Sequence, residues 1–286
     1  MYSRFLFVIF FLCAFINVKA QQNLLRAFQP PNVVNKIPYG NNAKAGHYVQ
    51  ANDAKIYYEV YGKGQPVVLL HGGLFGATVE FSDIINKLKN KFQVIAISTR
   101  GHGKSELGKE PLTLEQRAND ALAVINAVTK DSVIVIGFSD GGYSAYQLAK
   151  MYPSRVKKMV VMGAGELAPG LREFNFTASQ ALQMDKAFIE QQLKLMPEPN
   201  RLEEMFAQVC ACYKKLTVGK ELLSAIKCPV LVMAGDRDGG NPVERVVSAA
   251  RFIPNHQISI IPNTGHGCFV ENFKATWECV APFISN

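Results

Sequence analysis

Val133-Ile134-Val135-Ile136-Gly137-Phe138-Ser139-Asp140-Gly141-Gly142-Tyr143-Ser144-Ala145-Tyr146-Gln147-Leu148-Ala149-Lys150-Met151 changes its periodicity in the middle. Residues 133–136 are a continuous β-branched run, the pattern of a strand buried on both faces. Residues 142–151 read as a helix. Between them, Gly137-Phe138-Ser139-Asp140-Gly141 is a G-x-S-x-G motif in the strand–turn–helix context that gives the motif its meaning. The glycines have a steric reason: so sharp a turn forces the serine into a strained backbone conformation, and flanking side chains would collide. The turn leaves Ser139 Oγ exposed at a helix N-terminus, where the helix dipole favours developing negative charge. Ser139 is therefore the candidate nucleophile.

Outward from this stretch, further short apolar runs occupy residues 67–70, 94–97, 160–162, 230–233 and 258–261. All are expected to be strands of a parallel sheet. Before them, residues 46–51 and 55–61 alternate and meet at Asn52-Asp53, a hairpin signal. Helical stretches lie between the runs: residues 113–128, with a stripe of Leu114, Ala118, Leu122, Ile125 and Val128, and residues 242–250, with Pro242 at the first position. Alternating strands and helices imply an α/β fold, a mostly parallel doubly wound sheet with an antiparallel start. Residues 165–223 break the rhythm. They carry two amphipathic helical patterns, 177–195 and 201–214, separated by Met196-Pro197-Glu198-Pro199-Asn200. Placed between the fourth and fifth parallel strands, this insertion reads as a helical cap over the sheet ends. The expected organisation is a core of residues 46–164 and 224–286 with a cap of residues 165–223; no internal repeat or low-complexity tract is present.

A serine hydroxyl needs a base to take its proton. His47 lies in the leading hairpin, His71 opens His71-Gly72-Gly73, His102 lies in Arg100-Gly101-His102-Gly103, and His256 precedes the last strand. His266, in Asn263-Thr264-Gly265-His266-Gly267 just after the run 258–261, fits the base by chain order and by its flanking glycines. The group that orients it is expected after the strand 230–233, in Gly235-Asp236-Arg237-Asp238-Gly239-Gly240-Asn241-Pro242. Asp238 is preferred over Asp236, because one more turn of loop is needed to reach the histidine Nδ1; Asp236 is expected to cap the loop.

His71-Gly72-Gly73, the elbow at residues 137–141, the loop 235–242 and Gly265-His266 together resemble the α/β-hydrolase superfamily, from about Gly46 to the C-terminus. The resemblance implies a serine hydrolase with Ser139, Asp238 and His266 as catalytic residues in the order this fold uses. It implies an oxyanion hole from the backbone N–H of Gly73 or Leu74 together with that of Asp140, and a structural role for His71. Ser98 stands where the family often shows Asp before Arg-Gly-x-Gly-x-Ser, so one loop-bracing contact is expected to differ. Gly103-Lys104-Ser105 is not a phosphate loop, because that motif needs a glycine at position 98. Ser-Asp-Gly-Gly is similar to the elbow of valacyclovir-hydrolase-like enzymes; Asp140 either favours substrates with a positive group near the ester or only caps the helix. Serine at the elbow argues against the aspartate-dependent chemistry of dehalogenases and epoxide hydrolases. Phe174, Phe176, Leu182, Met184, Phe188, Met205 and Phe206 in the cap suggest a small or medium apolar acyl group. Carboxylic esters are the expected substrates, with carbon–carbon bond hydrolysis, lactone hydrolysis, N-terminal peptide cleavage and non-catalytic ligand binding as alternatives.

The chain has 286 residues, 48% hydrophobic and 19% charged, a globular composition. Arg4, the apolar run 5–18 and Val18-Lys19-Ala20 read as a secretory signal peptide of residues 1–20, since the run is shorter than a membrane span requires. A secreted or periplasmic protein free of the membrane after cleavage follows. Residues 21–45, rich in Gln, Asn and Pro, are expected to be an N-terminal tail. The formal charge of +8 falls to about +6 without Arg4 and Lys19, and the lysines are scattered, so no nucleic-acid groove is expected. The partner is a small-molecule substrate. Five cysteines would remain after cleavage, with no zinc-site spacing, so neither metal nor organic cofactor is expected.

Overall fold

A computed structural model of the chain describes residues 24–27, 36–171 and 174–285. The expected signal peptide lies outside the described residues. Eight strands form one sheet: β1 (Gly46–Ala51), β2 (Ala54–Tyr61), β3 (Gln65–Leu70), β4 (Phe92–Ile97), β5 (Val133–Phe138), β6 (Val156–Met162), β7 (Val230–Gly235) and β8 (His256–Ile261), in spatial order β1-β2-β4-β3-β5-β6-β7-β8. The β1–β2 and β2–β4 pairs are antiparallel and all others parallel. Asn52 supplies the turn between β1 and β2 with a left-handed φ of 52°.

The helices are α1 (Ser82–Leu88), α2 (Leu114–Val128), α3 (Asp140–Met151), α4 (Ala178–Met184), α5 (Lys186–Leu193), α6 (Leu202–Lys215), α7 (Lys220–Leu223), α8 (Val243–Phe252), α9 (Cys268–Glu271) and α10 (Phe273–Ser285). Because strand side chains alternate, each inner strand feeds two cores. Val68, Val135, Val161 and Val232 pack with α2, α3 and α8. Leu69, Ile136, Val160 and Met233 pack with Ile84 and Leu88 of α1 and Val280 of α10 on the other face.

Several local expectations change. The run 258–261 was expected to be buried on both faces, yet β8 is an edge strand, and Ile258 and Ile260 stand 38% and 37% exposed. The buried face of α2 is Leu114, Arg117, Ala118, Asp120, Ala121, Val124 and Ile125, so Leu122 and Val128 lie at its margin. The pattern 177–195 is two helices, interrupted where Asp185 leaves helical geometry (φ −150°, ψ 77°) and its carboxylate accepts from Phe188 N at 3.1 Å to start α5. Pro242 sits one residue before α8 rather than at its first position. α10 carries no signal that the sequence reading used.

The expected tail is packed where it is described. Leu24 and Tyr39 are buried. Gly40 N and Asn42 N donate to the buried Glu59 carboxylate at 2.8 and 2.7 Å, as do the Tyr57 and Tyr61 hydroxyls at 2.8 and 2.7 Å. Such side-chain fastening needs no helical or strand period, which is why the segment reads as a linker.

The helices α4 to α7 form the insertion between β6 and β7, and a two-way backbone bridge between Leu167 and Val218 (2.9 and 2.7 Å) draws its two ends together. The insertion lies over the loops that follow β3 and β4. Phe75 packs its ring against Phe176, Phe188 and Phe206, and Leu107 N donates to Glu198 at 2.9 Å.

Candidate active site

β5 ends at Phe138 and α3 begins at Asp140, leaving Ser139 between them at φ 51°, ψ −113°. A non-glycine residue in that region is strained and is held there only by its surroundings. Here the holding is visible: Gly142 N and Tyr143 N donate to Ser139 O at 2.9 and 3.1 Å. At Gly141 a Cβ would lie 2.0 Å from Leu70 O, so only glycine lets the elbow pass against the end of β3.

The loop after β8 carries His266 to the serine. Ser139 Oγ donates to His266 Nε2 at 2.9 Å, and His266 Nδ1 donates to Asp238 Oδ2 at 2.7 Å. Asp238 lies in the loop after β7 with its side chain shut off from solvent. Burial opposes its ionisation, but the hydrogen bond and charge of His266 and the N–H groups of Asn241 and Gly240, both 2.8 Å from Oδ1, hold it below the usual carboxylate range. Asp236 instead accepts from Thr264 N at 3.0 Å and braces the loop that presents His266. Gly163, at φ +63°, gives the imidazole its room, because a Cβ there would meet His266 Cε1 at 3.0 Å. Thus Ser139, His266 and Asp238 come together from three loops at the C-terminal ends of parallel strands.

On the other side of the elbow, Gly73 lines the same cavity as Ser139, and a Cβ on it would lie 3.2 Å from Asp140 Cβ. Leu74 next to it holds a left-handed φ of 57°. The preceding His71 is buried; its Nε2 accepts from Thr99 N at 3.0 Å and its Nδ1 donates to Gly72 O at 2.7 Å, bracing the loop from both ends. Burial, with His102 nearby, pushes its pKa down to about 3, so the ring is neutral as those bonds require.

Asp140 follows neither expectation stated for it. Its carboxylate is buried and pairs with the Arg117 guanidinium of α2, while Tyr213 of α6 donates to its Oδ1 at 2.7 Å. It is therefore neither a helix cap nor open to a substrate cation. Arg117 and Tyr213 were not singled out from the sequence: a lone Arg and a lone Tyr on amphipathic helices carry no signal of burial.

The cavity in front of Ser139 and His266 measures about 520 Å³ and is walled by Phe75, Phe138, Phe269 and Val270. Of the apolar residues singled out in the insertion, Phe188 and Phe206 are buried in its body against Phe75, and Met184 is exposed. Phe75 links that layer to the cavity. Beside Glu271, two polar residues complete the wall: Arg26, from the segment at residues 24–27, and Glu80, from the single turn Thr78–Phe81. Both escaped the sequence reading. The five described cysteines are free thiols, and none lies at this cavity.

The family model described as alpha/beta hydrolase fold matches residues 66–192. The chain has the α/β-hydrolase fold. Among related α/β-hydrolases, the AB hydrolase superfamily protein YisY of Bacillus subtilis (strain 168) is 27% identical, over 84% of this chain and all of the relative. The 2-hydroxy-6-oxo-6-(2'-aminophenyl)hexa-2,4-dienoic acid hydrolase of Metapseudomonas resinovorans is 26% identical, over 85% of this chain and 92% of its own. Among solved structures, Est816, described as an N-acyl homoserine lactone degrading enzyme, superposes with a TM-score of 0.64 at 26% identity, over 83% of this chain and all of that one.

Proposed function

We propose that this α/β-hydrolase cleaves a small or medium carboxylic ester, or a related acyl substrate, through an acyl-enzyme on Ser139. The observation that carries the reading is the relay Ser139 Oγ–His266 Nε2–Asp238, at 2.9 and 2.7 Å, opening onto an apolar cavity of about 520 Å³. In this mechanism His266 Nε2 takes the Ser139 proton as Oγ bonds to the substrate carbonyl carbon. Asp238 holds the Nδ1–H tautomer and stabilises the imidazolium. The backbone N–H of Asp140 and that of Gly73 or Leu74 receive the oxyanion. The bond to the leaving oxygen then breaks as His266 returns its proton there. A water, deprotonated by His266, repeats the sequence on the acyl-enzyme and releases the acid and free Ser139. The names of the dienoic acid hydrolase and the lactone-degrading relative favour a second reading on the same residues, in which the bond cleaved is carbon–carbon or that of a lactone. The signal peptide read in residues 1–20 supports action outside the cytoplasm.

The test is turnover of p-nitrophenyl esters of graded chain length, beside an acyl homoserine lactone, by residues 21–286 and by Ser139→Ala. Ester turnover that falls by on the order of 10⁴ or more in the variant is expected. No turnover of any ester, with Ser139 unlabelled by a fluorophosphonate, would overturn the esterase reading.

A further inference from the structure

Among the described residues, two carboxyls outside the relay line the cavity: Glu271, which accepts from Gly265 N at 2.7 Å, and Glu80, whose carboxyl is met by the N–H groups of Gly72 and Ala77. Glu80 Oε2 is shut off from solvent and has no hydrogen-bond partner among the described residues. The nearest cation does not supply one. Arg26 spends its guanidinium on Val79 O at 3.2 Å, on Ser82 Oγ and on Asp83 at 2.8 Å. A buried oxygen left unbonded is costly, and such groups mark places where a partner arrives later. Glu80 lines the cavity that also holds Ser139 and His266, so the arriving partner is the substrate.

We propose that Glu80 is a specificity-determining residue, whose carboxyl O–H donates to an acceptor oxygen that the substrate carries in addition to its scissile carbonyl. The proposal rests on the reading of Ser139 and His266 as the hydrolytic site and narrows the substrate class to acyl compounds bearing a keto, ether or hydroxyl oxygen. The direction of the bond follows from the surroundings. Burial raises the Glu80 pKa to about 8; the charge of Arg26 and the N–H groups of Ala77 and Gly72 pull against this without cancelling it. The carboxyl is thus protonated at neutral pH and offers a donor. An ammonium on the substrate would meet Arg26 in the same wall, whereas an ether or keto oxygen meets no opposing charge.

The test uses ester pairs that differ only by oxygen for methylene: p-nitrophenyl methoxyacetate against butyrate on the acyl side, and 2-methoxyethyl acetate against butyl acetate on the alcohol side. The quantity read is the kcat/KM ratio within each pair, so every protein is its own reference. The wild type is expected to prefer the oxygen-bearing member of at least one pair by on the order of tenfold. Glu80→Gln, which keeps a neutral donor of the same shape, should retain most of that preference, and Glu80→Leu should lose it. No preference in either wild-type pair, or a preference that persists in Glu80→Leu, overturns the proposal. If no ester is turned over and Ser139 resists fluorophosphonate, the hydrolytic reading fails separately. Calorimetric binding of 2-methoxyethyl acetate and butyl acetate to wild type and Glu80→Leu then decides on Glu80: equal affinities overturn its role, and a wild-type preference lost in the variant upholds it.

Discussion

At the scale of single residues, Asp140 divides its work between backbone and side chain. Its N–H stands directly after Ser139, where the proposed oxyanion would form, while its carboxylate is drawn away and held by Arg117 of α2 and Tyr213 of α6. The buried carboxylate pairs with the guanidinium, and the Tyr213 hydroxyl that donates to the same oxygen completes the geometry. Because Tyr213 belongs to the insertion and Asp140 to the elbow, this contact ties the insertion to the nucleophile's own peptide. Removing it with Tyr213→Phe should lower the free energy of unfolding by about 1.5–3 kcal/mol, read from urea titration. On p-nitrophenyl butyrate the variant should lose kcat more than it raises KM. A variant with wild-type midpoint and kcat would show that the hydroxyl holds nothing in place. Ser139, His266 and Asp238 were legible from motif and chain order, since each sits on a short loop after a recognisable strand. Glu80, Arg26, Arg117 and Tyr213 were not, because their significance lies in what surrounds them rather than in any spacing.

At the scale of elements, the sheet shows how position overrides pattern. The runs at 230–233 and 258–261 look alike in sequence, yet β7 is buried throughout while β8 has one open side. The consequence is measurable. Val232→Ala, at a fully buried position, should cost roughly 2 kcal/mol or more, whereas Ile258→Thr, at a position 38% exposed, should stay within about 0.5 kcal/mol. Equal losses in chemical denaturation would mean that β8 is covered in solution. Helix α2 makes the same point differently: Arg117 and Asp120 are buried on it because each has a partner of opposite charge, so its inner face is turned from the apolar stripe. A hydrophobicity pattern alone treats both residues as outward-facing.

At the scale of the molecule, one arginine joins parts far apart in the chain. Arg100, fully buried, donates twice to Asp120 of α2 at 2.8 Å, to Asp53 in the first hairpin turn at 2.6 Å, and to the carbonyls of Ala51 and Leu107 at 3.2 Å. It thereby locks the antiparallel start of the sheet to the helix that carries Arg117. Arg100→Met leaves two carboxylates without their cation and should destabilise the fold by about 3–5 kcal/mol. Unfolding followed by far-ultraviolet circular dichroism would detect it, and an unchanged midpoint would show that the hairpin is held by its strand pairing alone.

The amino-acid sequence by itself determined the fold class, the strand order along the chain, the place of the helical insertion and the three residues that meet at 2.7 and 2.9 Å. These follow from local causes: periodicity selects strand or helix, and glycines permit the elbow whatever surrounds it. The tertiary structure alone decided which strand lies at the edge, which face of α2 turns inward, that Arg26 and Ala27 line the cavity, and that the Asp140 carboxylate is taken up by Arg117 and Tyr213 while Glu80 stands in the cavity wall. Each of these depends on burial and on partners distant in the chain, and the energy of a charged or polar group is set by the groups and solvent around it rather than by its neighbours in sequence.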